Sequence, residues 1–454
     1  MVDEHSSQSI AEYDDLRRIF VEAETSAQQI GPEMEKFGLV RADLRPIVYE
    51  GRESILTIFD ALEKTHGWKR ESEYPGGPAL MLRGSLGTVT LEPGCQLELS
   101  GSVSDTVHLV DHELRTHVAQ IAPVSRELGL MWLGVGFHPL ARREDLAWVP
   151  KKRYPIMRNY LPTRGAHALD MMLRTSTVQA NFDFVNEVDS MRKMRVSMAL
   201  TPLVTAMFAN SPWKEGKRHD GLSYRARVWL DVDPDRGGLV PNVWKSNSTY
   251  ADYIDWALDV PMFLIKRNGR TIENTGQTFR TFWKEGRDGH RATLADWEGH
   301  LNTLFPEVRL KKTIEVRGAD SQGLELASAL VALWTGLFYD ERALSAAEAL
   351  VDGWTFAECQ AVREHLWRDG LRTSFRGTTF VTLAEKLLSI SRDGLVSRGM
   401  RDAQGRDESA YLAPIEALVS RGATPAEVIL EEQGTRSLED FLRQTPGLLG
   451  QVTS

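Results

Sequence analysis

Cysteine is the scarcest residue in this 454-residue chain, with two copies, Cys95 and Cys359. Two thiols exclude a disulfide scaffold and a cysteine-rich zinc site, and they suit a reducing compartment. Long apolar runs are missing too. The longest, 198–209 and 326–338, fall short of the ~18 residues of a membrane span and are read as buried helices. Met1 to His5 show no basic start followed by an apolar core, so no signal peptide is expected. Basic charge is in deficit: 54 Lys and Arg against 63 Asp and Glu leave a net charge of −9, which disfavours a nucleic-acid partner. The signatures GxxxxGK[ST], GxGxxG, HExxH and GxSxG are all absent. A nucleotide would therefore have to be held by carboxylates through divalent metals. These absences lead to the expectation of a soluble cytoplasmic enzyme.

What is present is an ordinary globular balance, 42% hydrophobic and 26% charged. Helical spacing predicts helices over 9–29, 54–66, 105–128 (with a kink or break at Pro123), 191–208, 383–390 and 413–419. Leu326, Leu330, Leu333 and Leu337 mark a further helical core face. Period-two alternation predicts strands over 86–100 and 177–184. Residues 134–164 are a Gly- and Pro-punctuated basic segment, 213–221 and 285–291 read as loops, and a mobile loop is expected around Gly405. Strands and helices do not alternate regularly, which favours an α+β fold over a doubly wound one.

Four segments alternate with acidic or amide residues on their polar side. They are Glu33-Met34-Glu35, the hairpin that places Glu92 and Glu98 on either side of Pro93-Gly94, Gln179 with Asn181 and Asp183, and Glu315 with Arg317. On one sheet face, these carboxylates would repel unless a cation neutralised them. Hard oxygen donors of this kind suit Mg²⁺ or Mn²⁺. A solvated strand face alternates in the same way. Lys151, Lys152, Arg153, Arg158 and Tyr160 form a basic, aromatic-interleaved loop that suits a small anionic ligand or simply solvent. Arg225 and Arg227 alternate with Ala226 and Val228 ahead of Trp229 and are either carboxylate clamps or part of a surface strand; Arg174, just before the Gln179 strand, has the same ambiguity. His108 and His112 have the i, i+4 spacing of a metal pair, but no third ligand is evident, which favours a solvated helix face.

Six ordered motifs resemble the glutamate–cysteine ligases of the plant and proteobacterial type: Ile30–Gly38, Leu91–Gly101, Arg153–Tyr160, Asp170–Thr175, Phe305–Arg309 and Glu315–Asp320. The resemblance runs from about Ile30 to Gly422. It implies a glutamine-synthetase-like core, a curved, mainly antiparallel sheet flanked by helices, holding ATP and Mg²⁺ (or Mn²⁺) on its inner face. It implies ATP-dependent joining of glutamate to cysteine through a γ-glutamyl phosphate. Glu33, Glu35, Glu92, Glu98, Gln179 and Glu315 become candidate metal ligands or their neighbours. Arg317 becomes a phosphate stabiliser and Arg225 a second catalytic cation. Asn181, Lys152 and Arg309 are assigned to the nucleotide, and Arg158, Tyr160, Arg174 and Trp229 to substrate. The family usually has His at Met34, Gly at Cys95 and Gln at His138, and plant members carry a regulatory disulfide that two cysteines do not suggest here.

The expected organisation is a helical extension over 1–29, a catalytic core over 30–345 and a helical region over 346–454, in a monomer or homodimer without membrane or nucleic-acid partners. The other functions considered are a γ-glutamyl ligase with another amine acceptor, a non-catalytic binding relative and a metal-dependent nuclease.

Overall fold

The computed structural model describes residues 8–445 and 447–449. Met1 to His5, and with them the start of the N-terminal extension, lie outside the described residues. The strands β1 (Ile30–Val40), β2 (Lys69–Glu71), β3 (Met81–Gly84), β4 (Gly87–Leu91), β5 (Leu97–Ser100), β6 (Leu130–Leu133), β7 (Val178–Phe182), β8 (Val308–Leu310) and β9 (Ile314–Val316) form one nine-stranded sheet. Their order is β8-β9-β7-β1-β5-β4-β3-β2, with β6 paired to the far half of β1. Every pairing is antiparallel. The architecture is the expected α+β one.

Register joins segments that looked separate in the sequence. Glu33 lies opposite Ser100 on β5 and Gln179 on β7, and Glu35 lies opposite Glu98. Glu315 lies opposite Asn181 on one side and Arg309 on the other. Directly opposed residues point to the same side of a sheet. The polar halves of the alternations therefore merge into one face. The other face carries Ile30, Met34, Val89, Leu99, Val178, Ala180, Ile314 and Val316, all buried. Helix Val107–Leu128 packs against β1, helix Leu324–Phe338 against β7, and helix Glu187–Met207 against β8 and β9. Helix Leu324–Phe338 is buried around nearly its whole circumference, which is why Ala, Ser, Val and Thr fill the positions between its leucines. No helix among the described residues is long and apolar enough to cross a membrane.

Several local expectations change. The first helix is short, Tyr13–Val21. Helix Val107–Leu128 runs through Pro123 without a break, with Leu114, Ile121 and Val124 seated in the core. Residues 213–218 form a small hairpin instead of a plain loop. The basic segment contains a helix, Arg153–Tyr160, whose Pro155 sits in the first turn, where no amide donor is needed. Arg225 and Arg227 also lie on a helix, Tyr224–Trp229, capped by the Ser223 hydroxyl, and not on a strand. Arg401 and Asp407 are bridged, which closes the loop around Gly405.

The β4–β5 turn sits directly on helix Ala168–Arg174. A Cβ at Gly94 would stand 2.4 Å from the Leu173 carbonyl oxygen, so no side chain fits there. Gly94→Ala is expected to destabilise the protein by about 1–3 kcal/mol, an overpacking cost read from denaturant unfolding. An unchanged midpoint would show that the turn can move off the helix.

Candidate active site

The polar sheet face forms one wall of a cavity of about 330 Å³. Glu35, Thr177 and Arg317 reach it from the sheet, and Glu92 and Gln96 from the β4–β5 turn. Helix Arg153–Tyr160 contributes Arg153, Tyr154 and Met157, and helix Tyr224–Trp229 contributes Arg225 and Trp229. Phe263, Ile265 and Phe305 make an apolar side opposite, with His300 beside them.

Crowding dominates the electrostatics of the sheet face. Burial raises the Glu33 carboxyl above the usual carboxylate range, and Glu315 and Glu98 add to the shift. Burial, then Glu92 and Glu98, raises Glu35. Burial and Glu92 raise Glu98, although Thr90 and Ser100 each donate a hydroxyl to it, at 2.7 and 2.9 Å. Glu315 is the exception. Burial alone would raise it, but Arg309, Lys311 and Arg317 hold it well below the ordinary range. Arg309 donates to both of its oxygens, at 2.9 and 2.8 Å, Lys311 lies at 3.2 Å, and Arg317 closes the set. Gln179 accepts from Arg317 Nη1 at 2.6 Å and faces Glu35 through its amide nitrogen at 3.5 Å.

Among the described residues, no three His, Cys, Asp or Glu side chains stand in the arrangement of a preformed metal site. The donor set nonetheless fits a hard divalent cation: Glu33, Glu35, Glu92 and Glu98 are oxygen donors whose mutual repulsion a cation would relieve. Glu315 is the one carboxylate of the row whose oxygens are already taken by three cations.

Not all the residues singled out in the sequence meet here. Arg317, Arg225 and Trp229 line the cavity with Glu35 and Glu92. Asn181 donates to Glu33 at 2.8 Å and accepts from Thr313 at 2.9 Å. Arg309 is committed to Glu315 and to the Leu304 carbonyl. Lys152 sits at the rim, 3.8 Å above the Tyr74 ring. Tyr160 packs edge-on to Phe263 outside the cavity lining, and Arg158 lies over Trp148 on the exposed side of its helix. Arg174 is buried away from the cavity, paired with Asp170 and Glu215 and stacked on Phe137. Arg153, named in the basic segment, lines the cavity, while Tyr154, Met157, Phe263 and His300 were missed as site residues. An apolar i, i+3, i+7 stripe, Tyr154, Met157 and Leu161, would have shown which side of the basic segment faces inward. His108 bonds to Tyr411 and to the Met400 carbonyl, and no metal cluster forms around it among the described residues.

Residues 29–444 match the family described as glutamate–cysteine ligase family 2. The chain is 42% identical over 407 residues to the chloroplastic glutamate–cysteine ligase of Brassica juncea, covering 89% of this chain and 77% of that one. It is 42% identical to the Arabidopsis thaliana enzyme over 89% of this chain and 76% of that one. It is 41% identical to the chloroplastic glutamate–cysteine ligase B of Oryza sativa subsp. japonica, over 92% and 83%. The fold resembles that of a Francisella tularensis glutamate–cysteine ligase solved in complex with AMP, with a TM-score of 0.54 and 10% identity over 92% of this chain and 87% of that one. The cytoplasmic expectation is contradicted by these relatives, which are chloroplastic proteins. Scarcity of cysteine speaks to redox state and does not separate the two compartments.

Relief of the carboxylate crowding is measurable without turnover. Glu98→Gln keeps the shape and removes one negative charge. In chelator-treated protein it is expected to raise unfolding stability, read from denaturant unfolding, because burial and Glu92 both disfavour the charged carboxylate. A loss of stability would show that the face is not strained by its own charge.

Proposed function

The chain belongs to glutamate–cysteine ligase family 2, and we propose that it joins the γ-carboxylate of glutamate to the amine of cysteine with conversion of ATP to ADP and phosphate, the first step of glutathione synthesis. The observation that carries the reading is Glu35 and Glu92 lining one cavity with Arg317 and Arg225, with Glu33 and Glu98 beside them on the same sheet face. A free carboxylate is a poor acyl donor because its leaving group would be oxide. Attack of a γ-carboxylate oxygen on the γ-phosphorus of ATP forms an acyl phosphate and releases ADP. The amine nitrogen then attacks the acyl carbon, the C–N bond forms, phosphate leaves with the electrons of the broken C–O bond, and the ammonium proton passes to solvent.

Phosphoryl transfer has little covalent work for a protein to do; it needs positioning and charge. Among the described residues Arg317 makes its side-chain hydrogen bonds through Nη1, to Gln179 and Glu315, which leaves Nε and Nη2 for a phosphoryl oxygen. Glu315 is its anchor. Glu33, Glu35, Glu92 and Glu98 would hold Mg²⁺ or Mn²⁺, which when bound neutralises the phosphate oxygens. Arg153, across the cavity, is suited to the α-carboxylate of an amino acid. The methionine and aromatic walls keep water from the acyl phosphate, which water would otherwise hydrolyse.

Phosphate release from ATP with Mg²⁺, glutamate and cysteine, with γ-glutamylcysteine identified by mass, tests the reading. Release that requires both amino acids is expected. Release with glutamate that cysteine does not stimulate would assign another amine acceptor, and no release would remove the catalytic reading. Arg317→Ala is expected to lower kcat by about 10²–10³, the cost of losing one preorganised charge at the transition state.

A further inference from the structure

Asp320 lies beyond the cavity lining, yet three donors from two separate segments converge on its fully buried carboxylate. Oδ2 accepts from the Asn210 amide and the Ser211 hydroxyl, each at 2.7 Å, and Oδ1 accepts from the Ser223 hydroxyl at 2.9 Å. The space is tight: a Cβ at Gly136 would stand 2.2 Å from Asp320 Cγ. Both serines have a second task. Ser223 caps the helix Tyr224–Trp229 by accepting from the Ala226 amide at 3.0 Å, and Ser211 Oγ accepts from the Arg225 amide at 3.2 Å. Asp320 thus fixes the start of the helix that carries Arg225.

Arg225 then reaches back toward the strand exit from which Asp320 comes. Its Nη1 donates to the Gly318 carbonyl at 2.9 Å and its Nη2 to the Arg317 carbonyl at 3.0 Å. Two carbonyls carry no net charge, and Arg225 is buried, so its positive charge needs an anion nearby. Asp320 is the first of the anions that offset its burial, ahead of Glu307 and Glu35. The connections close a ring: Asp320, the two serines, the helix start, Arg225, the backbone of Arg317 and Gly318, and along the chain to Asp320. Thr177 adds a strut from the start of the neighbouring strand β7, donating its hydroxyl to the Ala319 carbonyl at 2.7 Å.

We propose that Asp320 is a positioning residue for phosphoryl transfer: through Ser211, Ser223 and Arg225 it fixes the backbone from which the Arg317 guanidinium reaches the cavity. The proposal rests on the ligase reading for the step it serves, while the ring itself is a feature of the fold. A group preorganised toward charge that develops in the transition state affects kcat more than ground-state binding.

The experiment is a double-mutant cycle in the full chain, with amide exchange as a readout that needs no turnover. Asp320→Asn is expected to lower kcat 10- to 100-fold while the KM values for ATP and glutamate stay within about threefold, since it acts on orientation and not on substrate contacts. In an Arg317→Ala background the same substitution is expected to cost less than threefold more, because the group it positions is gone. Should Asp320→Asn fail to fold, Ser223→Ala removes one strut and is expected to show the same pattern with a two- to tenfold loss. In either variant amide exchange over 315–320 is expected to rise at least tenfold above wild type. Additive losses in the cycle, an unchanged kcat, or unchanged exchange over 315–320 would each overturn the proposal. An inactive wild type would count against the ligase reading alone, because exchange is read without substrate.

Discussion

Like charges directly opposite one another on adjacent strands are destabilising, and this sheet is built around such a pair. Glu35 and Glu98 are register partners on β1 and β5, both buried, with Glu33 and Glu92 close by. Everything around them answers that constraint. The opposite sheet face is apolar and sealed by three helices, which holds β1 and β5 in register despite the repulsion. Hydroxyls from Thr90 and Ser100 and the amide of Asn181 donate into the row. On the β8–β9 side the problem is solved differently, by placing Arg309, Lys311 and Arg317 around Glu315. The face therefore has one end with its charge satisfied internally and one end left with excess negative charge. A ligand that brought divalent cation and phosphate together would meet both ends at once.

The division between what the sequence revealed and what it hid follows the period of each element. Strand alternation is local and repeats every two residues, so Glu33 and Glu35, Glu92 and Glu98, and Glu315 and Arg317 could each be placed on a polar side before any pairing was known. Nothing local gives register, so the merging of these sides into one face came only with the structure. The misjudged residues lie where a short helix looked irregular. As a strand, residues 225–229 would turn Arg225, Arg227 and Trp229 to one side. As a helix they bring Arg225 and Trp229 together at the cavity and send Arg227 to the Trp367 ring. In the basic segment Pro155 reads as punctuation, and that obscured the inward side formed by Tyr154 and Met157.

Arg174 and Arg309 show a second limit. Each sits in a motif with the right chemistry for an anionic ligand, yet each spends its guanidinium on protein carboxylates or carbonyls. A sequence gives the count of basic side chains near a site but not which already have partners. Arg317 differs because the carboxylate that holds it occupies only one end of its guanidinium.

The two cysteines have a meaning that composition alone did not suggest. Both are buried, and burial pushes both thiols up to about 12, so at neutral pH neither forms the thiolate that attacks disulfides or oxidants. A protein whose substrate and product both bear a reactive sulfhydryl works amid traffic that scrambles accessible sulfur. With its own sulfur atoms protonated and out of reach, this chain can handle that cargo without becoming covalently entangled in it.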